Sequence, residues 1–452
     1  MALPHCVGAE GTAMRIGWKL AGIGLMLVLL LVPLGLLSGL VTEREARGRE
    51  VAREIAQSSA GSQQVVGPLL LVEAQRISQR RRVVTQAGQL REEKEQVRET
   101  FHYLVSPETL VIDNRLRTER RGRSLFSVPL FHSAMGLRGE FRHRAPAAMQ
   151  GSQIRPQRAW LVLGLGDNRG VRALRLVVGG KAIAAEPGTR VAWLPEGLHA
   201  PVPLAALDQP LAFDLAMDLT GTGGLAWLPV GSETTVTAAG DWPHPGFTGR
   251  HLPQSSQVRA NGFRANWAVS RLSSRVQQVL AQCPPASDAC MGLDDGQFSV
   301  QLVDPVDRYL MTDRAMKYAL LFLGLVFGAV FLVEALAARP VHAVQYGLTG
   351  LALAMFYLLL LSLSEHIGFG PAYAVAASAC SGLLAYYLAG VLGGWRRGLG
   401  FGLGLAALYG LLYALLRAED YALLVGAGAL FAALATVMAL TRRLDWGRMG
   451  AG

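Results

Sequence analysis

The chain has 452 residues, 51% of them hydrophobic and 17% charged, with a formal net charge of +10. That is too apolar for an ordinary soluble protein of this length, and the uneven spread of charge divides it into a water-facing and a lipid-facing part. No basic recognition helix, zinc-ligand spacing or aromatic RNA-binding motif accompanies the positive charge, so no nucleic acid partner is expected.

Residues 1–20 read as a cytoplasmic leader, in which Met14 would serve as a start as well as Met1. Ala21 to Val41 carries no charge, is long enough to span, and follows Arg15 and Lys19. It lacks a small-residue cleavage site and a lipoprotein cysteine, which makes it an uncleaved anchor, transmembrane helix 1. Thr42 to Gln57 is a charged stalk helix with Glu43–Arg47 and Glu45–Arg49 at the favourable i,i+4 spacing. Val65 to Val72 reads as a buried strand with a turn or bulge at Gly67-Pro68. Arg80 to Arg82 and Glu92 to Glu99 flank a polar stretch that reads as an exposed hairpin or loop.

From Thr109 to Val303 short β-rich runs alternate with Gly, Pro, Asp and Asn. Ala212 to Leu219 alternates apolar and polar side chains with period two, so one face is buried. An antiparallel sandwich or elongated sheet follows, within a domain assigned to residues 42–316. Gly164 to Gly170 lacks the ending of a phosphate loop and reads as a turn between strands. Asp241 to Phe247 is a loop stiffened by two prolines, either a packed corner or a binding knob, with Trp242, His244 and Phe247 as the candidate contact.

Five apolar segments follow at about Tyr318–Leu336, Val344–Leu363, Pro371–Leu392, Leu399–Leu416 and Tyr421–Leu440, a bundle over residues 317–441. The fold class is therefore a membrane α+β protein: six transmembrane helices, with a β-rich domain between the first and second. Arg15, Lys19, Arg339, Arg396, Arg397, Arg442, Arg443 and Arg448 fall on one side, which orients both termini, including the tail 442–452, to the cytoplasm and the large domain to the periplasm.

Glu365 and His366, with Glu419 and Asp420, lie at the outer ends of spans. They form either a polar rim with a function or a cap that ends helices at the interface. No metal or cofactor is expected there. Glu334 has Arg339 nearby as an ion-pair partner. Gly398, Gly400, Gly402 and Gly404 make two overlapping GxxxG spacings, suited to close packing in the bundle or between copies in a homo-oligomer. Cys283 and Cys290 bracket an exported loop, while Cys6 and Cys380 sit in the leader and mid-span, so Cys283–Cys290 is the expected disulfide. No HExxH, GxSxG, SxxK or CxxC motif occurs, and no catalytic residue is assigned.

The run Phe356 to Phe369, reading FYLLLLSLSEHIGF, resembles the CreD family of inner-membrane proteins. Gly67-Pro68, Asp167 to Gly170, Leu219 to Gly223, Trp242 to Phe247, Gly262 to Trp267, Thr312 to Arg314 with Lys317-Tyr318, and Ala439 to Trp446 reinforce the likeness. The resemblance implies a Gram-negative inner-membrane protein tied to envelope integrity and envelope stress, including tolerance to some colicins and β-lactams. It implies no catalytic residue and does not include the cysteine pair.

The leading expectation is a non-enzymatic protein whose periplasmic domain contacts an envelope partner. The alternatives are a transporter or channel using Glu365, His366, Glu419, Asp420 and Lys317, and an envelope enzyme near His244.

Overall fold

The computed structural model describes residues 9–86, 89–123, 126–144, 153–287, 290–304, 308–337, 341–418 and 422–442. In chain order the first elements are α1 (Ala9–Ser58), β1 (Gln63–Gln86), β2 (Gln89–Val105), β3 (Thr109–Arg123), β4 (Phe126–Phe141), β5 (Gln153–Leu165), β6 (Val171–Val178), β7 (Lys181–Ala182), β8 (Glu186–Pro187) and β9 (Gly197–Val202). Then come β10 (Leu211–Thr222), β11 (Gly224–Leu228), β12 (Glu233–Gly240), β13 (Pro245–Gly249), β14 (Ser255–Arg259), β15 (Gly262–Ser270), α2 (Val276–Gln282) and β16 (Phe298–Leu302). The chain ends with α3 (Arg308–Lys317), α4 (Ala319–Ala337), α5 (Ala343–Ile367), α6 (Phe369–Val391), α7 (Trp395–Arg417) and α8 (Ala422–Thr441). Glu50–Pro305 forms one compact unit, and Met1–Arg49 with Val306–Gly452 forms another.

Among the described residues the β-rich unit has two eight-stranded sheets. One runs β13, β16, β11, β1, β5, β9, β8, with β2 also on β1; the other runs β14, β15, β12, β3, β4, β10, β6, β7. Val65, Leu70, Trp227 and Phe298 of the first share a single buried core with Phe131, Leu215 and Trp267 of the second. Burying that apolar area is what drives the two sheets together. Val65 to Val72 is apolar throughout because β1 is central: β5 lies on one edge, β11 and then β2 on the other, and both of its faces are buried. On β10, Leu211, Phe213, Leu215, Met217 and Leu219 are buried in strict alternation with more exposed neighbours.

Two pairings depart from the antiparallel expectation. β1 pairs with β11, and β3 with β12, in parallel. Parallel neighbours need long crossovers, and here several strands intervene in each connection, a feature no local pattern announces. β1 shifts register against β5 between Val66 and Leu69. Gly67 sits there at φ +120, where a Cβ would meet the Val162 carbonyl oxygen at 3.0 Å. The polar stretch after it is the hairpin β1–β2, paired in register from Leu70–Val105 to Gln86–Gln89.

Among the described residues, four helices are long and apolar enough to cross a membrane, and a fifth crossing results if α3 and α4, bent by 49° to one another, count as one. The expected last segment corresponds to α8, whose described apolar part, Leu424–Ala439, is shorter than a full span. His342 and Gln345 form a capping box at the start of α5. Gly368, at φ +79, ends α5 and directly begins α6, so the chain reverses at Glu365-His366-Ile367-Gly368 as the sequence pattern implies. Phe356, Tyr357, Tyr373 and Tyr409 fill the bundle centre, while Leu351, Leu383, Tyr386, Leu403 and Phe431 are exposed, as suits lipid.

Candidate functional site

The last turn of α5 places Glu365 against α3 and α1. Its carboxylate accepts a hydrogen bond from the Tyr309 hydroxyl at 3.1 Å and lies 3.9 Å from Arg44 Nη1, with the side chain only 8% exposed. His366 points elsewhere: it is exposed, and its Nδ1 lies 3.1 Å from the Ser362 carbonyl, one turn back. The adjacent pair is therefore split into a carboxyl group with a buried side chain that ties helices together and an exposed ring. Glu419 and Asp420 lie outside the described residues.

At the opposite end of the bundle, Glu334 of α4 is buried and fully engaged. Lys19 of α1 donates to one carboxylate oxygen together with the Val341 N–H at 2.9 Å, and the Tyr346 hydroxyl of α5 donates to the other at 2.9 Å. A buried carboxylate requires such partners. The expected partner Arg339 lies outside the described residues, and the observed one is 315 positions away.

The glycine pattern on α7 is divided. A Cβ on Gly398 would meet Ala389 Cβ at 2.5 Å, and one on Gly402 would meet Ala385 Cβ at 2.6 Å, so these two let α6 and α7 touch. Gly400 and Gly404 face open space.

In the β-rich unit, Trp242 is buried and donates through Nε1 to the Val303 carbonyl at 2.9 Å. Asp241 accepts from the Thr118 N–H and hydroxyl at 2.9 and 2.7 Å, and Phe247 packs edge-on to Trp267 at 5.7 Å. Only His244 of the three candidate contact residues is exposed. The segment is built as a corner.

Cys283 and Cys290 form a disulfide with Cα atoms 5.4 Å apart. Their loop walls a shallow hollow of about 340 Å³, lined by His102, Gly188 to Ala192, Pro195, Pro285 and Ala286. The Ala192 N–H donates to the Pro285 carbonyl at 2.8 Å, fixing the two walls together. Arg190, at φ 65, holds its guanidinium 4.8 Å from the Trp160 ring centre, and Arg158 lies 5.5 Å from the same ring. Arg158 also grips Glu73 through two bonds of 2.9 and 3.0 Å, and His102 lies 3.2 Å from that carboxylate. Burial works upward on the Glu73 carboxyl, but Arg158 and then His102 outweigh it and hold it below the ordinary carboxylate range. Trp160 and Arg158 lie outside the lining of the hollow, the ring buried and Arg158 committed to Glu73, so Arg190, braced on Trp160 beside a rigid rim, is the guanidinium that the hollow offers to an anionic or hydrogen-bonding ligand. Sequence reading singled out none of Arg158, Trp160, Arg190 or His102. The turn signal Glu186-Pro187-Gly188 before Arg190 was there to be read, but the convergence was not. Among the described residues no group of three or more His, Cys, Asp or Glu could hold a metal ion.

The model of the family described as Inner membrane protein CreD matches residues 15–447. The chain belongs to the CreD family. Inner membrane protein CreD of Escherichia coli (strain K12) is 34% identical over 438 residues, covering 95% of this chain and 93% of its own length. Among solved structures, an M1 zinc metallopeptidase from Deinococcus radiodurans aligns over 74% of this chain and 94% of its own at 11% identity, with a TM-score of 0.24, too low to carry any argument.

Two segments that carry the CreD resemblance, Asp167 to Gly170 and Leu219 to Gly223, meet at one node. Asp167 Oδ2 accepts from the Gly61 N–H at 3.2 Å, and Gln63 bridges the Asp167 and Thr220 carbonyls at 3.0 and 3.1 Å. Arg169 is bidentate to Asp167, at 3.0 and 2.7 Å, and also donates to the Gln57 carbonyl near the end of α1. A Cβ on Gly170 would strike the Thr220 carbonyl at 2.3 Å, and one on Gly221 the Phe131 ring at 2.7 Å. In this CreD chain the polar motif thus holds the α1 end, the β1 start, the turn after β5 and the end of β10 together.

Proposed function

We propose that the protein maintains the cell envelope from the bacterial inner membrane without catalysing a reaction, by binding an envelope component through its β-rich unit. Six spans, with both termini in the cytoplasm and the β-rich unit in the periplasm, complete the proposal. The one-sided placement of Arg396, Arg397, Arg442 and the leader cations supports that orientation. The observation that carries the binding reading is the hollow lined by Arg190. Its guanidinium is held over the ring of the buried Trp160, beside a rigid wall and on a backbone conformation that side chains rarely adopt. In contrast, the motif polar groups Asp167, Arg169 and Gln63 are committed to internal bonds, which makes them builders of the unit.

The test is rescue of a deletion strain's envelope-stress defect, with membrane levels checked. Arg190→Glu, present at normal level, should fail to rescue, and the double variant Glu365→Gln with His366→Ala should succeed. The opposite pattern would remove the hollow from the reading and turn attention to flux through the bundle.

A further inference from the structure

The helical unit contains an apolar furrow bordered by α4, α7 and α8. Two adjoining cavities of about 870 and 540 Å³ share Leu325 of α4, Gly404 and Leu408 of α7, and Ala433 and Thr436 of α8. Together they run from Arg397 and Thr441 at one end of the helices to Tyr318 and Gly426 at the other. Gly324, Gly328, Gly400 and Gly404 border the larger cavity, and a Cβ on any of them would meet nothing within 4 Å. Glycine costs helix stability relative to alanine, so four open glycines along one furrow are an expense that close helix packing does not recover here. Arg397 is the one charged residue bordering either cavity among the described residues. One of its N–H groups donates to the Leu392 carbonyl at 3.1 Å, which anchors the guanidinium at the furrow's end and leaves further donors.

We propose that this furrow binds an anionic phospholipid, its phosphate at Arg397 and an acyl chain along α4, α7 and α8. Charge complementarity selects the occupant: an anion is called for at the end of the furrow and hydrocarbon along its length, and an anionic lipid supplies both. Basic pockets between membrane helices bind anionic headgroups on this principle. Arg396 and Arg442, both exposed, lie next to Arg397 and Thr441 in the chain and add to the positive field.

The experiment uses the full chain in mild detergent, with native mass spectrometry reading lipid occupancy. The probes are phosphatidylglycerol and phosphatidylcholine of identical acyl chains, and inorganic phosphate alone. Wild type should prefer phosphatidylglycerol, and Arg397→Gln should weaken that lipid about fivefold and leave phosphatidylcholine unchanged. Arg417→Gln, which removes a charge from the other end of α7, should leave the preference intact, and Gly404→Leu should reduce occupancy by both lipids. Equal binding of the two lipids, an unchanged preference in Arg397→Gln, or an equal loss in Arg417→Gln overturns the proposal. So does protection by inorganic phosphate as strong as that by phosphatidylglycerol. A lipid-free dimer that added phosphatidylglycerol does not dissociate would assign the furrow to a second copy instead.

Discussion

Replacing Asp167 by alanine should destabilise the β-rich unit by about 3 kcal/mol. The carboxylate accepts from Arg169 at 3.0 and 2.7 Å, from the Arg169 N–H at 3.0 Å and from the Gly61 N–H at 3.2 Å. Bonds to a charged group contribute about 1.5–3 kcal/mol each, and an orphaned buried donor costs about 1–3 kcal/mol. The Arg169 side chain is 58% exposed and regains water once released, so its share is discounted and the Gly61 N–H and the lost turn dominate. At about 2–4 °C per kcal/mol for a domain of this size, the unfolding transition should fall by about 6–12 °C. Asp167→Asn, which keeps one acceptor oxygen, should fall by about half as much. The assay is scanning calorimetry of the full chain in detergent, following the β-rich transition. The Arg169 side chain, above all, holds the Asp167 carboxyl below its ordinary 3.8 against the upward push of burial, with the Arg169 and Gly61 N–H groups adding to it. A depressed folded value means the stabilisation is complete above the ordinary value and lost as pH falls through the folded one. The gap between wild type and Asp167→Ala should therefore narrow in acid below that ordinary value. A shift under about 2 °C at neutral pH, or a gap that widens in acid, would refute the reasoning.

Four further outcomes are expected. Trp227 is fully buried against Trp267 and Phe298 and its Nε1 has no hydrogen-bond partner, so Trp227→Phe should cost under about 1.5 kcal/mol while Trp227→Ala costs about 3–5 kcal/mol, measured by thermal unfolding. Gly398→Ala should weaken the bundle because its Cβ would strike α6, while Gly400→Ala should be neutral or stabilising by up to about 1 kcal/mol, read by unfolding in a denaturing detergent series. Glu334→Ala, which leaves Lys19 and the Val341 N–H unpaired, should cost about 3–5 kcal/mol and lower membrane levels, and Glu334→Gln should retain more than half of them. A cysteine at Leu272, 91% exposed on the β-rich unit, should take a membrane-impermeant label in spheroplasts, and one at Arg396 should be labelled only after lysis.

Local pattern carried much of this fold. The period-two alternation of β10, the continuous apolar β1 and the turn at Gly368 follow from which faces touch water, and each is written in neighbouring residues. The parallel pairs β1–β11 and β3–β12 are not, because they join strands far apart in the chain. The same distinction separates the site residues. Glu365 and the Cys283–Cys290 pair stand out by type and position, yet the partners that give Glu365 and Glu334 their roles, Tyr309, Arg44 and Lys19, come from remote helices. Trp242 and Phe247 look like a contact loop in sequence because proline and aromatics serve corners and knobs alike; the structure buries Trp242 and packs the half-buried Phe247 against Trp267. The hollow at Arg190 gathers residues from three separate stretches of chain, around His102, Arg190 and Pro285, which only folding brings together.

The most direct measurement places a photocrosslinking amino acid at Arg190 of the full chain in living cells under envelope stress. The account predicts an adduct with an envelope component that is lost when Trp160→Ala is added. Absence of an adduct from position 190, or an equal adduct from the exposed position of Leu272, would contradict it.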